Sequence, residues 1–224
     1  MTYNNIKRGI FLSRPNRFIA HIKIDGKEEI CHVKNTGRCK ELLIPGVRVL
    51  VQESSNPERE TKYDLISVYK GERLINMDSQ APNKVFAEWA GKYFKNISYI
   101  KPEARYKNSR FDFYIEAEGK KIFAEIKGVT LEDDGVVLFP DAPTERGVKH
   151  INELCSAIDD GYEAYIFFVV QMEGVRYFTP NKNTHPEFAL ALKEAEKKGV
   201  NICCVDCYAD MTELKIKNEV KVIL

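Results

Sequence analysis

The chain has 224 residues, of which 44% are hydrophobic and 30% are charged, and its net charge is +1. This composition is ordinary for a soluble globular protein. No apolar run approaches the ~20 residues that span a bilayer, and the first residues lack the apolar core of a signal peptide, so we expect a cytoplasmic protein with no membrane partner.

The first eighty residues show short strand patterns separated by turns. Asp25-Gly26 and Pro45-Gly46 mark two of these turns. Five short strands with basic, polar loops predict a small OB-like β-barrel. The predicted strands are Ile6–Ser13, Arg17–Ile24, Glu28–Val33, Val47–Gln52 and Lys62–Tyr69.

Positive charge is concentrated in the first fifty residues. They hold ten Lys and Arg against four Asp and Glu, a local balance of +6 that leaves −5 for the remainder. Because OB folds bind nucleic acid through a basic groove, basic residues in these loops are candidate DNA contacts. The alternative is that they only face water. The candidates are Arg14, Arg17, Arg38 and Lys40.

The pattern changes near Ala81-Pro82-Asn83, which we interpret as the boundary between a domain of residues 1–80 and a domain of residues 83–224. Helical spacing of apolar residues predicts a helix over Lys84–Phe94. The elements that follow alternate between strands and helices, which predicts a mixed-sheet α/β domain. They are Tyr99–Arg105, Arg110–Ala117, Lys121–Lys127, Val136–Phe139, the helix Thr144–Asp159, Glu163–Val170, the helix Pro186–Lys198, and Asn201–Tyr208.

Two of these strands carry a cluster of charged residues. Side chains alternate along a strand, so Asp112 is expected on one face and both Phe111 and Phe113 on the other. Glu125 and Lys127 share one face of the next strand. If the two strands pair, the carboxylates of Asp112 and Glu125 converge.

Such a carboxylate pair suits a hard cation, Mg²⁺ or Mn²⁺, that keeps waters for a substrate phosphate. The backbone carbonyl of Ile126 would complete the ligand set, and Lys127 would position and activate the attacking water. The alternative is a hairpin with solvated charges on its outer face. The spacing alone does not decide between them.

Further candidates lie around the next predicted helix. Arg146 and His150 are four residues apart and share a helix face, where Arg146 would contact a phosphate and His150 would contact substrate or transfer a proton. Asp141 and Thr144 could bind substrate, but they occupy positions where helix caps are common.

Four segments resemble the sugar fermentation stimulation protein A family: Asn35–Arg38, Ser109–Phe113, Glu125–Thr130 and Phe139–Gly147. The resemblance runs through the whole chain. It implies an N-terminal OB-like domain and a C-terminal PD-(D/E)XK nuclease-like domain, with DNA binding and stimulation of sugar-utilisation genes.

Two positions depart from the family pattern, and one more candidate follows from the fold that the family implies. Phe111 stands where the nuclease signature has Pro, and Cys39 stands where Met is expected. Glu88 would correspond to an acidic residue on the first helix of such nucleases, although a plain surface position is an equal alternative.

These observations favour a DNA-binding protein whose second domain is a Mg²⁺- or Mn²⁺-dependent phosphodiesterase, with Asp112, Glu125 and Lys127 as its catalytic residues. The alternative is a DNA-binding regulator that does not cleave but stimulates sugar-utilisation gene expression. The sequence leaves open the preference for single or double strands and whether the chain forms a homo-oligomer.

Overall fold

A computed structural model describes residues 1–35 and 37–224. Thr36, within the Asn35–Arg38 motif, lies outside the described residues. The described residues of the first domain form six strands. They are β1 (Ile6–Ser13), β2 (Ile19–Ile24), β3 (Lys27–Val33), β4 (Arg48–Glu53), β5 (Tyr63–Lys70) and β6 (Arg73–Asn76).

The first five strands form a closed OB-type barrel, as predicted. The antiparallel order β3-β2-β1-β4-β5 is closed by a parallel pairing of β3 with β5. Alternation places Ala20, Ile22 and Ile24 of β2 in the interior, where each is buried. The sixth strand, β6, was not predicted; it pairs with β5 and leads out of the barrel.

The second domain contains three helices and ten strands. They are α1 (Ala81–Tyr93), β7 (Ile97–Tyr106), β8 (Ser109–Ala117), β9 (Lys120–Val129), β10 (Leu131–Asp133), β11 (Val136–Phe139), α2 (Glu145–Asp159), β12 (Glu163–Val170), β13 (Tyr177–Pro180), α3 (Pro186–Lys198), β14 (Asn201–Ala209), β15 (Leu214–Glu219) and β16 (Lys221–Val222).

A six-stranded mixed sheet of order β15-β14-β12-β9-β8-β7 forms the centre of this domain. One apolar layer joins the sheet to α1, and a second joins it to α2 and α3. A smaller sheet, β10-β11-β13-β16, lies beside it. The predicted mixed-sheet α/β fold is therefore confirmed, and β9, between antiparallel β8 and parallel β12, is a central strand.

Helix α1 begins earlier than predicted. It starts at Ala81, not at Lys84, and Pro82 occupies its first turn. Proline is accepted there because the first N–H groups of a helix have no partner within it. Asn83, which we interpreted as part of the domain boundary, is consequently a helical residue with a defined orientation.

The first residues of the chain pack on the second domain. The amide of Tyr3 donates to the carbonyl of Thr212 at 2.7 Å, and the amide of Leu214 donates to the carbonyl of Met1 at 3.0 Å. The Tyr3 side chain is buried in the apolar layer that contains Phe86 of α1. The second domain therefore includes residues from both ends of the chain.

Two buried polar side chains of the second domain, Gln171 and Glu132, bind residues that belong to the barrel or directly follow it. Gln171, directly after β12, donates through Nε2 to Asn76 Oδ1 at 2.8 Å and to the carbonyl of Asp78 at 2.9 Å. Buried Glu132 on β10 pairs with Lys70 at 2.7 Å and Arg73 at 2.5 Å. Of the helices in the described chain, none is long and apolar enough to cross a membrane.

Candidate metal centre and nucleic-acid interface

The carboxylate of Asp112 lies where strands β8 and β9 separate. Their antiparallel ladder runs from Ala117 and Lys120 to Phe113 and Ala124 and stops there. Beyond this point the amide of Ile126 donates to Asp112 Oδ2 at 2.8 Å. A side chain thus takes the place of a strand carbonyl as the acceptor.

The expected alternation of β8 fails at the same position. Phe111 packs against Phe123 with ring centroids 5.1 Å apart, whereas Phe113 packs against Phe86 of α1 at 5.0 Å. The prediction that Phe111 and Phe113 share a face was therefore wrong. The reason is that β8 leaves the ladder between them, which rotates the chain at Asp112.

Glu125 is almost completely buried on β9, at 2% exposure. Its Oε1 accepts a hydrogen bond from Lys127 Nζ at 2.5 Å and lies in close contact with Nδ1 of His150. Arg146 donates through Nε to the other ring nitrogen of His150 at 3.3 Å. Because that nitrogen accepts, Nδ1 carries the proton and donates to Glu125.

The second oxygen of Glu125 has a different environment. Glu125 Oε2 is buried and, among the described residues, has no hydrogen-bond partner. Buried polar atoms are almost always partnered in native proteins, so an orphan carboxylate oxygen indicates a position for a ligand. In the described part of the chain, no three His, Cys, Asp or Glu side chains group as ligands, so the candidate set is two carboxylates and the Ile126 carbonyl.

The pKa values of the two carboxyl groups move in opposite directions. Burial raises the pKa of Asp112, and the nearby charge of Glu125 raises it further. Burial also acts to raise the pKa of Glu125, but the hydrogen bond from His150 and the charge of Lys127 outweigh it and lower that pKa. A cation bound by both carboxylates would offset the repulsion that raises the pKa of Asp112.

Asp112 has a second partner that sequence reasoning missed. Asn83, in the first turn of α1, donates through Nδ2 to Asp112 Oδ1 at 2.9 Å. The signal available in the sequence was Pro82, which is common in the first turn of helices and would have placed Asn83 inside α1.

Glu88, the acidic candidate on α1, is not brought to Asp112. Its Oε2 accepts a hydrogen bond from the amino group of Met1 at 2.7 Å, and its side chain is 59% exposed. The residue of α1 that contacts Asp112 is Asn83, five residues earlier in the same helix.

Thr144 and Asp141 lie at the start of α2. Thr144 is its N-cap, and its Oγ1 accepts a hydrogen bond from the amide of Gly147 at 3.0 Å. Asp141 is exposed and borders Gly37 of the barrel, where a Cβ built on the glycine would lie 2.9 Å from Asp141 Oδ2. The capping alternative thus describes Thr144, and Asp141 belongs to the contact between the domains.

The four basic candidates of the barrel divide into two kinds. Each terminal nitrogen of Arg14 donates hydrogen bonds to two backbone carbonyls, at 2.7 to 2.9 Å. The guanidinium therefore holds the backbone of the loops. Arg17, Arg38 and Lys40 are exposed. These three, with Arg14 and Asp141, line a cavity of about 610 Å³ that we name the outer cleft.

A second cavity, the inner cleft, has a volume of about 280 Å³ and lies between the barrel and the end of β9. Both clefts include Gly37 and Asp141, so they meet at this contact. The residues lining the inner cleft are Asn35, Gly37, Ser79, Gly128, Val129, Thr130, Leu131, Leu138, Phe139, Asp141 and Gln171.

A closed OB barrel joined to a mixed-sheet α/β domain, with an acidic pair and a lysine on its central strands, defines the class of this protein. The model of the SfsA N-terminal OB domain matches residues 12–77, and that of the sugar fermentation stimulation protein RE domain matches residues 80–213. The chain belongs to the sugar fermentation stimulation protein family.

Relatives and a solved structure agree with this assignment. Sugar fermentation stimulation protein homologs from Ruminiclostridium cellulolyticum and Clostridium beijerinckii are 62% and 60% identical to this chain, each covering 100% of both sequences. The structure of Pyrococcus furiosus SfsA in complex with Ca²⁺ is 29% identical, with a TM-score of 0.90, covering 100% of this chain and 98% of that chain.

Proposed function

We propose that this protein binds DNA and hydrolyses its phosphodiester bonds with a divalent metal ion held by Asp112 and Glu125. The observation that carries the proposal is the orphan Glu125 Oε2, buried in the site where Asp112, Glu125 and Lys127 converge. The same family includes the P. furiosus protein whose structure was solved with Ca²⁺.

The residues present fit a hard divalent cation. The donors are carboxylate oxygens of Asp112 and Glu125 and the carbonyl oxygen of Ile126, and Mg²⁺ is commonly held by one or two carboxylates with waters and phosphates as the other ligands. Mn²⁺ also accepts oxygen ligands. Ca²⁺ shares this chemistry, so the ion in the relative is consistent with Mg²⁺ or Mn²⁺ here.

When bound, such an ion supplies charge that stabilises the transition state of phosphate displacement and acidifies a coordinated water. The protein's own residues perform the positioning. Lys127 Nζ, held 2.5 Å from Glu125 Oε1, orients the attacking water. His150 fixes the orientation of Glu125, and Arg146 is placed to bind the phosphate.

The barrel supplies the contacts that bind the DNA backbone. Arg17, Arg38 and Lys40 are exposed along the outer cleft and would contact phosphates, a contribution that depends on counterion release. Arg14 supports this surface from beneath by holding the backbone of the loops.

The test is cleavage of labelled DNA with Mg²⁺ or Mn²⁺ by the wild-type protein, Asp112→Ala and Lys127→Ala. We expect cleavage by the wild type only, with retained DNA binding by all three proteins. Equal binding without cleavage by any of them, under either metal, would refute the phosphodiesterase.

The second candidate is a DNA-binding regulator that does not cleave. It is favoured by the engagement of Glu125 Oε1, which both Lys127 and His150 already contact. For this candidate the carboxylate pair would have a structural role, and binding of DNA without hydrolysis would be the outcome.

A further inference from the structure

The inner cleft adjoins the candidate metal centre. Gly128 and Val129, the two residues that follow Lys127 in β9, both line the cleft. Val129 lies on the same face of β9 as Lys127. A group bound there would lie next to a phosphate held at Lys127.

Apart from Asp141 at the junction with the outer cleft, the side chains that line the inner cleft are uncharged, and two of them are held by hydrogen bonds. Asn35 donates through Nδ2 to the carbonyl of Met77 at 3.0 Å and accepts from the amide of Gly37 at 2.7 Å. Gln171 is held by Asn76 and Asp78. Phe139 adds a partly buried ring. Such walls suit an uncharged base or sugar, whereas the basic outer cleft suits phosphates.

The size of the inner cleft limits what enters it. Pockets that bind small ligands typically measure roughly 300–1,000 Å³, and this cleft measures about 280 Å³. It therefore accommodates a single nucleoside and excludes a base pair. Gly37 and Asp141 lie at the junction of the inner cleft with the outer cleft.

We propose that the inner cleft is a subsite for one unpaired nucleoside next to the scissile phosphate, and that the substrate is single-stranded DNA or a single-stranded tail of a duplex. This inference rests on the proposed function for the position of that phosphate. The neighbouring nucleotides would lie with their phosphates along Arg17, Arg38 and Lys40 of the outer cleft.

The experiment has two parts. In the first, cleavage of a labelled single-stranded oligonucleotide and of the same sequence in a blunt hairpin duplex is compared in Mn²⁺, for the wild type, Thr130→Trp and Leu190→Trp. Thr130→Trp fills the inner cleft, and Leu190→Trp adds the same ring at an exposed position of α3. Melting temperature and Ca²⁺ binding by calorimetry check that each variant retains its fold and metal site.

In the second part, the wild type is irradiated with a single-stranded oligonucleotide containing 5-iododeoxyuridine, and the cross-linked peptide is identified by mass spectrometry. This part does not depend on cleavage. We expect cross-links within residues 128–141, and we expect Thr130→Trp to reduce single-strand cleavage at least tenfold while Leu190→Trp leaves it unchanged.

The outcomes separate the two proposals. Cleavage of the blunt duplex at the rate of the single strand, or full activity of Thr130→Trp, would overturn the subsite while leaving the nuclease in place. Cross-linking within residues 128–141 without cleavage of any DNA would support the subsite and reject the nuclease. Cross-links elsewhere would overturn the subsite whatever the cleavage result.

Discussion

Asn83 Nδ2 lies 2.9 Å from Asp112 Oδ1, so the first turn of α1 orients one of the two carboxylates of the candidate metal centre. The other oxygen of Asp112 is held by the amide of Ile126. Residues that hydrogen-bond metal ligands set the orientation of those ligands and often determine metal affinity. Asn83 is therefore a positioning residue in the segment that connects the barrel to the candidate centre.

Replacing Asn83 should weaken metal binding. In Asn83→Ala, Asp112 loses a donor, and we expect the affinity for Ca²⁺ or Mn²⁺ to fall roughly 10-fold or more, as measured by calorimetry. Glu88→Ala, in the same helix, serves as the control and should retain wild-type affinity. Unchanged affinity in Asn83→Ala would show that Asp112 is oriented without this hydrogen bond.

Replacing Arg14 should lower the stability of the protein, whereas replacing the exposed Arg17 should not. In Arg14→Lys the single ammonium cannot reach the four carbonyls that the guanidinium serves, and we expect a loss of about 2 kcal/mol in the free energy of unfolding. Urea denaturation measures it. Arg17→Lys, at an exposed position, is the matched control. Equal losses of unfolding free energy in the two variants would contradict the structural role of Arg14.

DNA binding should depend on the exposed basic residues of the outer cleft. Replacing Arg17, Arg38 and Lys40 together by Ala should reduce the slope of log affinity against log salt by roughly 2 to 3, because each phosphate contact contributes about 0.7 to 0.9. Fluorescence anisotropy across salt concentrations measures the slope. The control makes the same charge change at exposed lysines of the second domain, Lys182, Lys197 and Lys221. An equal drop in slope in the control would assign binding to net charge.

Glu132 should contribute to acid sensitivity at the domain interface. Burial acts to raise its pKa, but hydrogen bonds from Lys70, the amide of Gly135 and Arg73 lower it below the ordinary value of 4.5. A carboxyl whose pKa is lowered in the folded state stabilises the protein above its unfolded pKa and loses this contribution as the pH falls through the folded one. The wild type should therefore lose stability below about pH 4.5.

Glu132→Gln tests this expectation. The variant should be about 2 kcal/mol less stable than the wild type at pH 7, and the difference should shrink as the pH is lowered below 4.5. Chemical denaturation between pH 3 and pH 7, the range about the ordinary glutamate pKa, measures both. Glu72→Gln removes an exposed partner of Arg48 and should change neither. A pH-independent difference would exclude ionisation of Glu132 as the cause.

Two glycine-to-alanine substitutions should change the free energy of unfolding in opposite directions. A Cβ at Gly128 would lie 2.7 Å from both Gln171 Oε1 and Pro82 Cγ, so Gly128→Ala should destabilise the protein by about 1–3 kcal/mol. At Gly91 of α1 a Cβ meets no atom within 4 Å, and Gly91→Ala should stabilise it by about 0.5–1 kcal/mol. Thermal or urea unfolding compares them, and the same sign in both would refute the packing argument.

Sequence periodicity was sufficient for the larger elements. The bounds of β1, β11, β12 and α3 coincide with their predicted ranges because each has a clear apolar pattern and flanking turn residues. Strands β10 and β16 contain three and two residues. Such segments are too short for a pattern, and their pairing depends on neighbouring strands that are distant in sequence.

The candidate site was predicted only in part for a similar reason. The charges of Asp112, Glu125 and Lys127 indicated where a metal could bind, and strand alternation placed them near one another. The break in alternation between Phe111 and Phe113 depends on how far β8 stays paired with β9, which is a tertiary property. The contacts of the Arg14 side chain with four carbonyls in two loops also depend on the folded loops.

The contacts of residues 1–3 with residues 212–214 affect the order of folding during synthesis. All five strands of the barrel have been synthesised once residue 70 has left the ribosome. Tyr3, by contrast, has no strand partner until more than two hundred further residues have been added. The backbone contacts of residues 1–3 with residues 212–214 can therefore form only when synthesis of the second domain is almost finished.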